Sequence, residues 1–173
     1  MKSLLNFFFF ICFSTATCYA QDGMLDSSML RLKELKFFSE KAAIEKVFGA
    51  PKKITEPKYE CGFHSEAEQG QKYYQLVYDN IVFIGNDKEK YIIDSLDFRL
   101  DKTLTVRYGK WNLNSKTSVD DFVKIFGEAI REDFIDQEDG TTSMALFFKK
   151  GDDAMAFSFE GGYLVAMHYW SPC

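Results

Sequence analysis

The apolar positions of this chain follow two alternating periods. Within 117–127, Val119, Phe122, Val123 and Phe126 stand at i, i+3, i+4 and i+7, placing four apolar side chains on one stripe of a helix. Thr117 and Ser118 precede the stripe, each with an acidic residue three positions on, Asp120 or Asp121, as a capping box requires. Gly127 is a terminator that tolerates a left-handed conformation. Segment 39–49 repeats the pattern, with Ser39 as N-cap, Ala43, Ile44, Val47 and Phe48 as the stripe, Gly49 as terminator and Pro51 just beyond. A shift of 78 positions, from 39 to 117, lays Ile44 on Phe122, Lys46 on Lys124, Val47 on Ile125, Phe48 on Phe126 and Gly49 on Gly127. Leu35 falls on Leu113 in the same frame. Helices of roughly ten residues are marginal alone in water, so each must lie on something.

The rest of the chain supplies sheets. Segment 29–35 predicts a strand ahead of the first helix, and 104–113, with Leu104, Val106 and Tyr108 on one face, predicts its counterpart. After the first helix come strand candidates at 58–63, 73–78, 81–84 and 91–100, with Asp79-Asn80 as a hairpin turn. After the second come 131–135, 143–148, 154–159 and 163–170, separated by an acidic loop at 136–140 and by turns at Gly151-Asp152 and Gly161-Gly162. The pattern predicts an α+β fold of two tandem repeats, 21–101 and 102–173, each a short helix packed on a four-stranded antiparallel sheet.

This repeat resembles that of the β-lactamase inhibitory protein fold and is similar to the small outer-membrane assembly lipoproteins of the SmpA/OmlA type. The residues that carry the likeness are Leu35, Ser39, Val47, Phe48 and Gly49 with their partners Leu113, Thr117, Ile125, Phe126 and Gly127. The resemblance implies a fold and assigns no site.

The first twenty residues read as an export signal: Lys2, an apolar run from Leu4 to Cys12, then small residues ending at Ala20. Cleavage after Ala20 is expected; acylation of Cys18 is the alternative. Either way the protein belongs in the periplasm or outside the cell, in or beyond a bacterial envelope. No second apolar segment is long enough to span a bilayer, so no membrane span is expected. Loss of 1–20 removes one basic residue and leaves 20 basic against 26 acidic, a net charge of −6. That balance disfavours a nucleic-acid partner, whose backbone asks for a basic face. About 153 residues can bury roughly 70% of the unfolded surface. Of the four cysteines, Cys12 and Cys18 leave with the signal, so Cys61 and Cys173 are expected to form a disulfide, with two free thiols as the alternative.

Candidate chemistry is sparse. The two histidines, His64 and His168, share no metal-binding spacing with each other or with a cysteine pair. The acidic run Glu132, Asp133, Asp136, Glu138 and Asp139 lacks the calcium-loop pattern. No nucleophile elbow, phosphate-cradling loop or Cys-His nucleophile occurs. No catalytic residue, metal or cofactor is therefore expected.

The strands say more. In 163–170 both alternating sets, Tyr163, Val165, Met167, Tyr169 and Leu164, Ala166, His168, Trp170, are largely apolar or aromatic. One face takes the helix, and the other either packs on the sister repeat or lies open as an aromatic protein-binding surface. The expectation is a non-enzymatic, exported protein-binding domain of inhibitor or immunity type, its partner an enzyme or toxin. Trp111, Tyr169 and Trp170 are the candidate contact residues. An envelope-assembly structural protein, or lipoprotein if Cys18 is acylated, is the alternative, and a small secreted hydrolase the third.

Overall fold

The computed structural model describes residues 23–173; the expected signal segment and its Cys12 and Cys18 lie outside them. Its first part runs β1 (Leu30–Leu32), β2 (Leu35–Lys36), α1 (Lys41–Phe48), β3 (Lys53–Thr55), α2 (Glu66–Gln69), β4 (Tyr74–Val77), β5 (Ile81–Asn86) and β6 (Lys90–Asp97). There follow β7 (Val106–Tyr108), β8 (Trp111–Leu113), α3 (Val119–Phe126), β9 (Ile135–Asp136), β10 (Thr142–Phe147), β11 (Ala154–Glu160) and β12 (Tyr163–Trp170). The fold is α+β with antiparallel strand pairing.

Two sheets form. The strands after each helix make one eight-stranded sheet, in the order β3-β4-β5-β6-β12-β11-β10-β9, rather than two separate four-stranded sheets. They join edge to edge where Ala166, Met167 and His168 pair with Asp97, Leu96 and Ser95. The segments ahead of the helices are hairpins rather than single strands, and they form a four-stranded sheet, β2-β1-β7-β8. Leu30, Leu32 and Leu35 on one hairpin, and Val106, Tyr108 and Leu113 on the other, are buried. Arg31, Lys36, Arg107 and Asn112 alternate with them, so this small sheet has one wet face. The frame shared by the helices does not carry through the hairpins: Leu35 pairs with Leu32 beside its turn, whereas Leu113 pairs with Val106 at the far end of β8.

Helix α3 lies between the sheets. Its Phe126 ring sits 5.0 Å from Tyr108 of the small sheet, while its Phe122 ring is 4.8 Å from Phe157 of the large one. Ser118 accepts from the Asp121 amide and its own amide is answered by the Asp121 side chain, the capping box expected from sequence. Helix α1 is less deeply set. Only Ile44 is buried, while Ala43, Val47 and Phe48 are partly covered, with Phe48 against Tyr78 and Phe83.

Three local expectations fail for tertiary reasons. Ser39 does not cap α1, since its backbone exchanges two hydrogen bonds of 2.9 Å with Tyr91 and its hydroxyl donates to the Lys36 carbonyl; Glu40 takes the cap position without a side-chain bond. Segment 58–63 is not a strand, and Lys53–Thr55 pairs with β4 instead. The expected strand at 131–135 is mostly a 3-10 turn, Glu128–Asp133, followed by the short β9. Among the described residues no helix is long and apolar enough to cross a membrane.

Candidate functional site

Strand register separates the two faces of the large sheet. Met144, Phe157, Met167, Leu96 and Ile81 are neighbours across five strands and all are buried. One residue along, Ala145, Ala156, His168, Ser95 and Val82 form the opposing row, and each is exposed or half-buried. Because the two sets of strands join side by side, among the described residues no second sheet packs on that row. Apart from His168 the row is of short side chains, and an exposed aromatic pair lies at one end of the face.

The alternation that looked apolar on both sides in 163–170 is broken by a bulge. Register shifts between Ser158 and Phe159, which pair with Ala166 and Leu164, so Val165 is the extra residue. Leu164 and Met167 consequently share the buried face, whereas Ala166, His168 and Trp170 share the open one.

At the aromatic end, Phe147 pairs with Ala154, which pairs in turn with Trp170. Ala154 has no side chain long enough to separate them, so the two rings meet across it, 6.1 Å apart and nearly perpendicular. Phe147 is 48% exposed and Trp170 44%. Beside Trp170 a cavity of about 160 Å³ is lined by Tyr59, Phe63, His64, Asp94, Tyr169 and Ser171, among others.

The 56–72 loop makes one wall of this cavity. Cys61 is disulfide-bonded to Cys173, with Cα atoms 5.0 Å apart. The Phe63 amide donates to the Ser171 hydroxyl at 3.0 Å, and the Gly62 amide to the Glu68 carboxylate at 2.9 Å. Gly62 adopts φ of 89°, and a Cβ there would meet the Pro172 carbonyl oxygen at 3.2 Å, so a side chain would both strain the loop and press it off the C-terminal segment.

His64 is buried, with its ring centroid 5.0 Å from Phe63, 5.0 Å from Tyr73 and 5.3 Å from Tyr169. Burial among these rings pushes its pKa down from 6.5 to about 4, against the opposing pull of Asp153 and Glu89. Burial also raises the Tyr73 hydroxyl to about 12, helped by its 2.7 Å hydrogen bond to Glu89. Tyr169 is raised further, by burial and by donating to Asp153. These groups are neutral at physiological pH.

The unfolded chain protonates His64 near 6.5, whereas the fold resists protonation down to about 4. His64 therefore leaves stability intact above pH 6.5 and withdraws it as pH falls from 6.5 towards 4, by on the order of 3 kcal/mol. Asp94, whose pKa is raised by burial, acts in the opposite direction. Urea midpoints of the wild type and His64→Gln between pH 4 and 7.5 isolate the histidine. The wild type is expected to lose stability relative to the variant on acidification, and parallel curves would show that His64 titrates normally in the fold.

Asp94 lies on β6 at a second irregularity. Val82 pairs with Ser95 and Phe83 with Ile93, leaving Asp94 without a partner residue across the ladder. Its carboxylate accepts from Gln75 Nε2 at 3.1 Å and from the Tyr59 hydroxyl. Sequence reading passed over Asp94, Tyr59 and Phe147. The available signals were one charged residue inside the apolar run 91–96, aromatics on both sides of Cys61, and consecutive aromatics at 147–148.

Of the residues singled out from sequence, Tyr169 and Trp170 line the cavity together. Trp111 is on the other sheet, 40% exposed, with the Lys110 ammonium 5.0 Å above its ring, beside a separate depression that includes Asn112 and Lys124. His168 stands exposed on the open face. Among the described residues no three His, Cys, Asp or Glu side chains are grouped to hold a metal ion. No family model, curated protein or solved structure matches the chain.

Proposed function

We propose that this is an exported, non-enzymatic protein-binding domain of inhibitor or immunity type, whose partner, an enzyme or toxin, docks on the open face of the eight-stranded sheet at Phe147 and Trp170. The observation that carries the reading is that aromatic pair, held by the sheet with both rings close to half exposed. Exposed aromatics on a rigid scaffold are the groups that dominate binding energy at protein interfaces. The disulfide adds support, since such bonds persist in oxidising compartments.

The reading includes a tandem-repeat construction and the resemblance to the β-lactamase inhibitory protein fold. Each half of the described chain runs hairpin, helix and four-stranded meander, and the halves meet through like elements, β1 with β7 and β6 with β12.

Affinity capture from envelope and extracellular fractions, with the wild type and Phe147→Ser/Trp170→Ser as parallel baits, tests the proposal. The wild type is expected to retain an enzyme or toxin whose activity falls when the purified domain is added. Truncating either ring should cost about 2 kcal/mol or more, roughly 30-fold in Kd. Trp111→Ala should bind normally. Equal capture by the wild type and the double variant would place the interface elsewhere, and no specific capture by the wild type would remove the reading.

A further inference from the structure

We propose that the cavity beside Trp170 receives one cationic side chain, lysine or arginine, presented by the protein partner. The inference rests on the protein-binding reading and adds the chemistry that the partner must bring to this end of the face.

Size is the first argument. The cavity holds about 160 Å³. Sites for whole small molecules begin near roughly 300 Å³, whereas an apolar cavity of about 150 Å³ takes a single benzene ring. This one fits one side chain.

Wall chemistry is the second. Tyr59, Phe63, Tyr169 and Trp170 offer aromatic surface, and Asp94 is the charged group among the lining residues, with no lysine or arginine beside it. Aromatic faces attract ammonium and guanidinium groups through their quadrupoles, more strongly when water is excluded. The nearby charges felt by His64 are also acidic, Asp153 and Glu89. His64 itself stays neutral above its lowered pKa and contributes no competing positive charge.

The state of Asp94 is the third. Two hydrogen bonds satisfy part of its carboxylate, yet among the described residues no basic group pairs with it. A partly buried, unpaired carboxylate is costly, and a cation entering from outside would offset that cost. The irregular pairing of β5 with β6 is the kind of bulge that re-aims a side chain beside a site. The disulfide and the Phe63 to Ser171 hydrogen bond hold the facing wall in place before a partner arrives, which lowers the ordering cost of binding.

The test is an NMR titration of the isotope-labelled protein with N-acetyl-lysine methylamide, N-acetyl-arginine methylamide and the neutral norleucine analogue. The cationic probes are expected to give saturable shifts at Tyr59, Phe63, Asp94 and Ser171, with at least tenfold tighter binding than norleucine. Asp94→Asn, nearly isosteric, should abolish that preference, and Trp170→Ala, altered at the exposed rim, should weaken both cations several-fold. Equal binding of norleucine, no saturable shift at the cavity, or an unchanged preference in Asp94→Asn would overturn the proposal. The two readings fail separately. A partner captured equally by the wild type and Asp94→Asn removes the cation pocket and keeps the protein-binding domain. Cation binding without any captured protein removes the partner as the source of the cation.

Discussion

Phe122→Ala is expected to destabilise the protein by about 3–5 kcal/mol. Phe122 is fully buried, and its ring lies 4.6 Å from Phe126, 4.8 Å from Phe157 and 5.3 Å from Phe159. Truncation removes the apolar transfer energy of the ring and leaves a void that the surrounding rings cannot close. Two of those neighbours are fixed on β11 and the third on the same helix, one turn away. Domains are stable by only about 5–15 kcal/mol in total, and at this chain length each kcal/mol shifts Tm by about 2–4 °C. A fall in Tm of roughly 10 °C should follow. Phe48→Ala is the control, because Phe48 is the phenylalanine of the α1 stripe, at the position corresponding to Phe126, but is only half-buried. It should cost clearly less. Urea unfolding of both variants decides the matter: similar losses, or a loss under about 1.5 kcal/mol for Phe122→Ala, would contradict the layered packing of α3 between the sheets.

The second large effect is expected from the disulfide. Cys61 and Cys173 are separated by 112 residues, and constraining so long a loop in the unfolded chain is worth about 4–5 kcal/mol in the chain-entropy account. Cys61→Ser/Cys173→Ser should lower stability by about that amount without leaving a reactive thiol. The 56–72 loop should then become the first site of proteolysis, since it carries the one short helix α2 and is otherwise attached by few hydrogen bonds. A measured loss below about 1 kcal/mol would mean that the packing of His64 between Tyr73 and Tyr169 anchors the loop without the bond. Losing the wall while the sheet stays folded would also separate the cavity from the Phe147 and Trp170 pair, because those rings sit on β10 and β12.

The two helices show how far local pattern reaches. Ser118, Asp121 and the stripe at 119, 122, 123 and 126 describe α3 as it folds, because a cap and a helical face are made within one or two turns of chain. The same reasoning placed a cap at Ser39, and the cap is absent, because the Ser39 backbone is drawn into a bridge with Tyr91, a residue far along the chain. Likewise, Arg131 to Ile135 has strand-like composition but begins as a 3-10 turn that returns the chain from α3 to the edge of the large sheet. Of the candidate contact residues, Trp170 and Tyr169 came from two alternating sets that both read as largely apolar or aromatic, a pattern that does not tell the wet set from the dry one. In the fold Trp170 is exposed, whereas Tyr169 is half-buried and ties His64 to Asp153. Asp94 could not be valued from sequence, since its meaning depends on a bulge and on a loop pinned from the other end of the chain.

By itself, then, the sequence determined what is set by neighbours: helices α1 and α3, most strands, and the turns at Asp79-Asn80 and Gly161-Gly162; it offered Cys61 and Cys173 as a pair, and the fold brings them together. Only the tertiary structure decided that the strands after both helices make one sheet, that the hairpins make another, and which face of the large sheet stays open. Strand edges carry the same unpaired amides and carbonyls whatever their sequence, so the joining of β6 to β12 depends on where packing brings them. A single-residue bulge reverses which side chains point inward, and two bulges therefore determine the faces occupied by Leu164, Trp170 and Asp94.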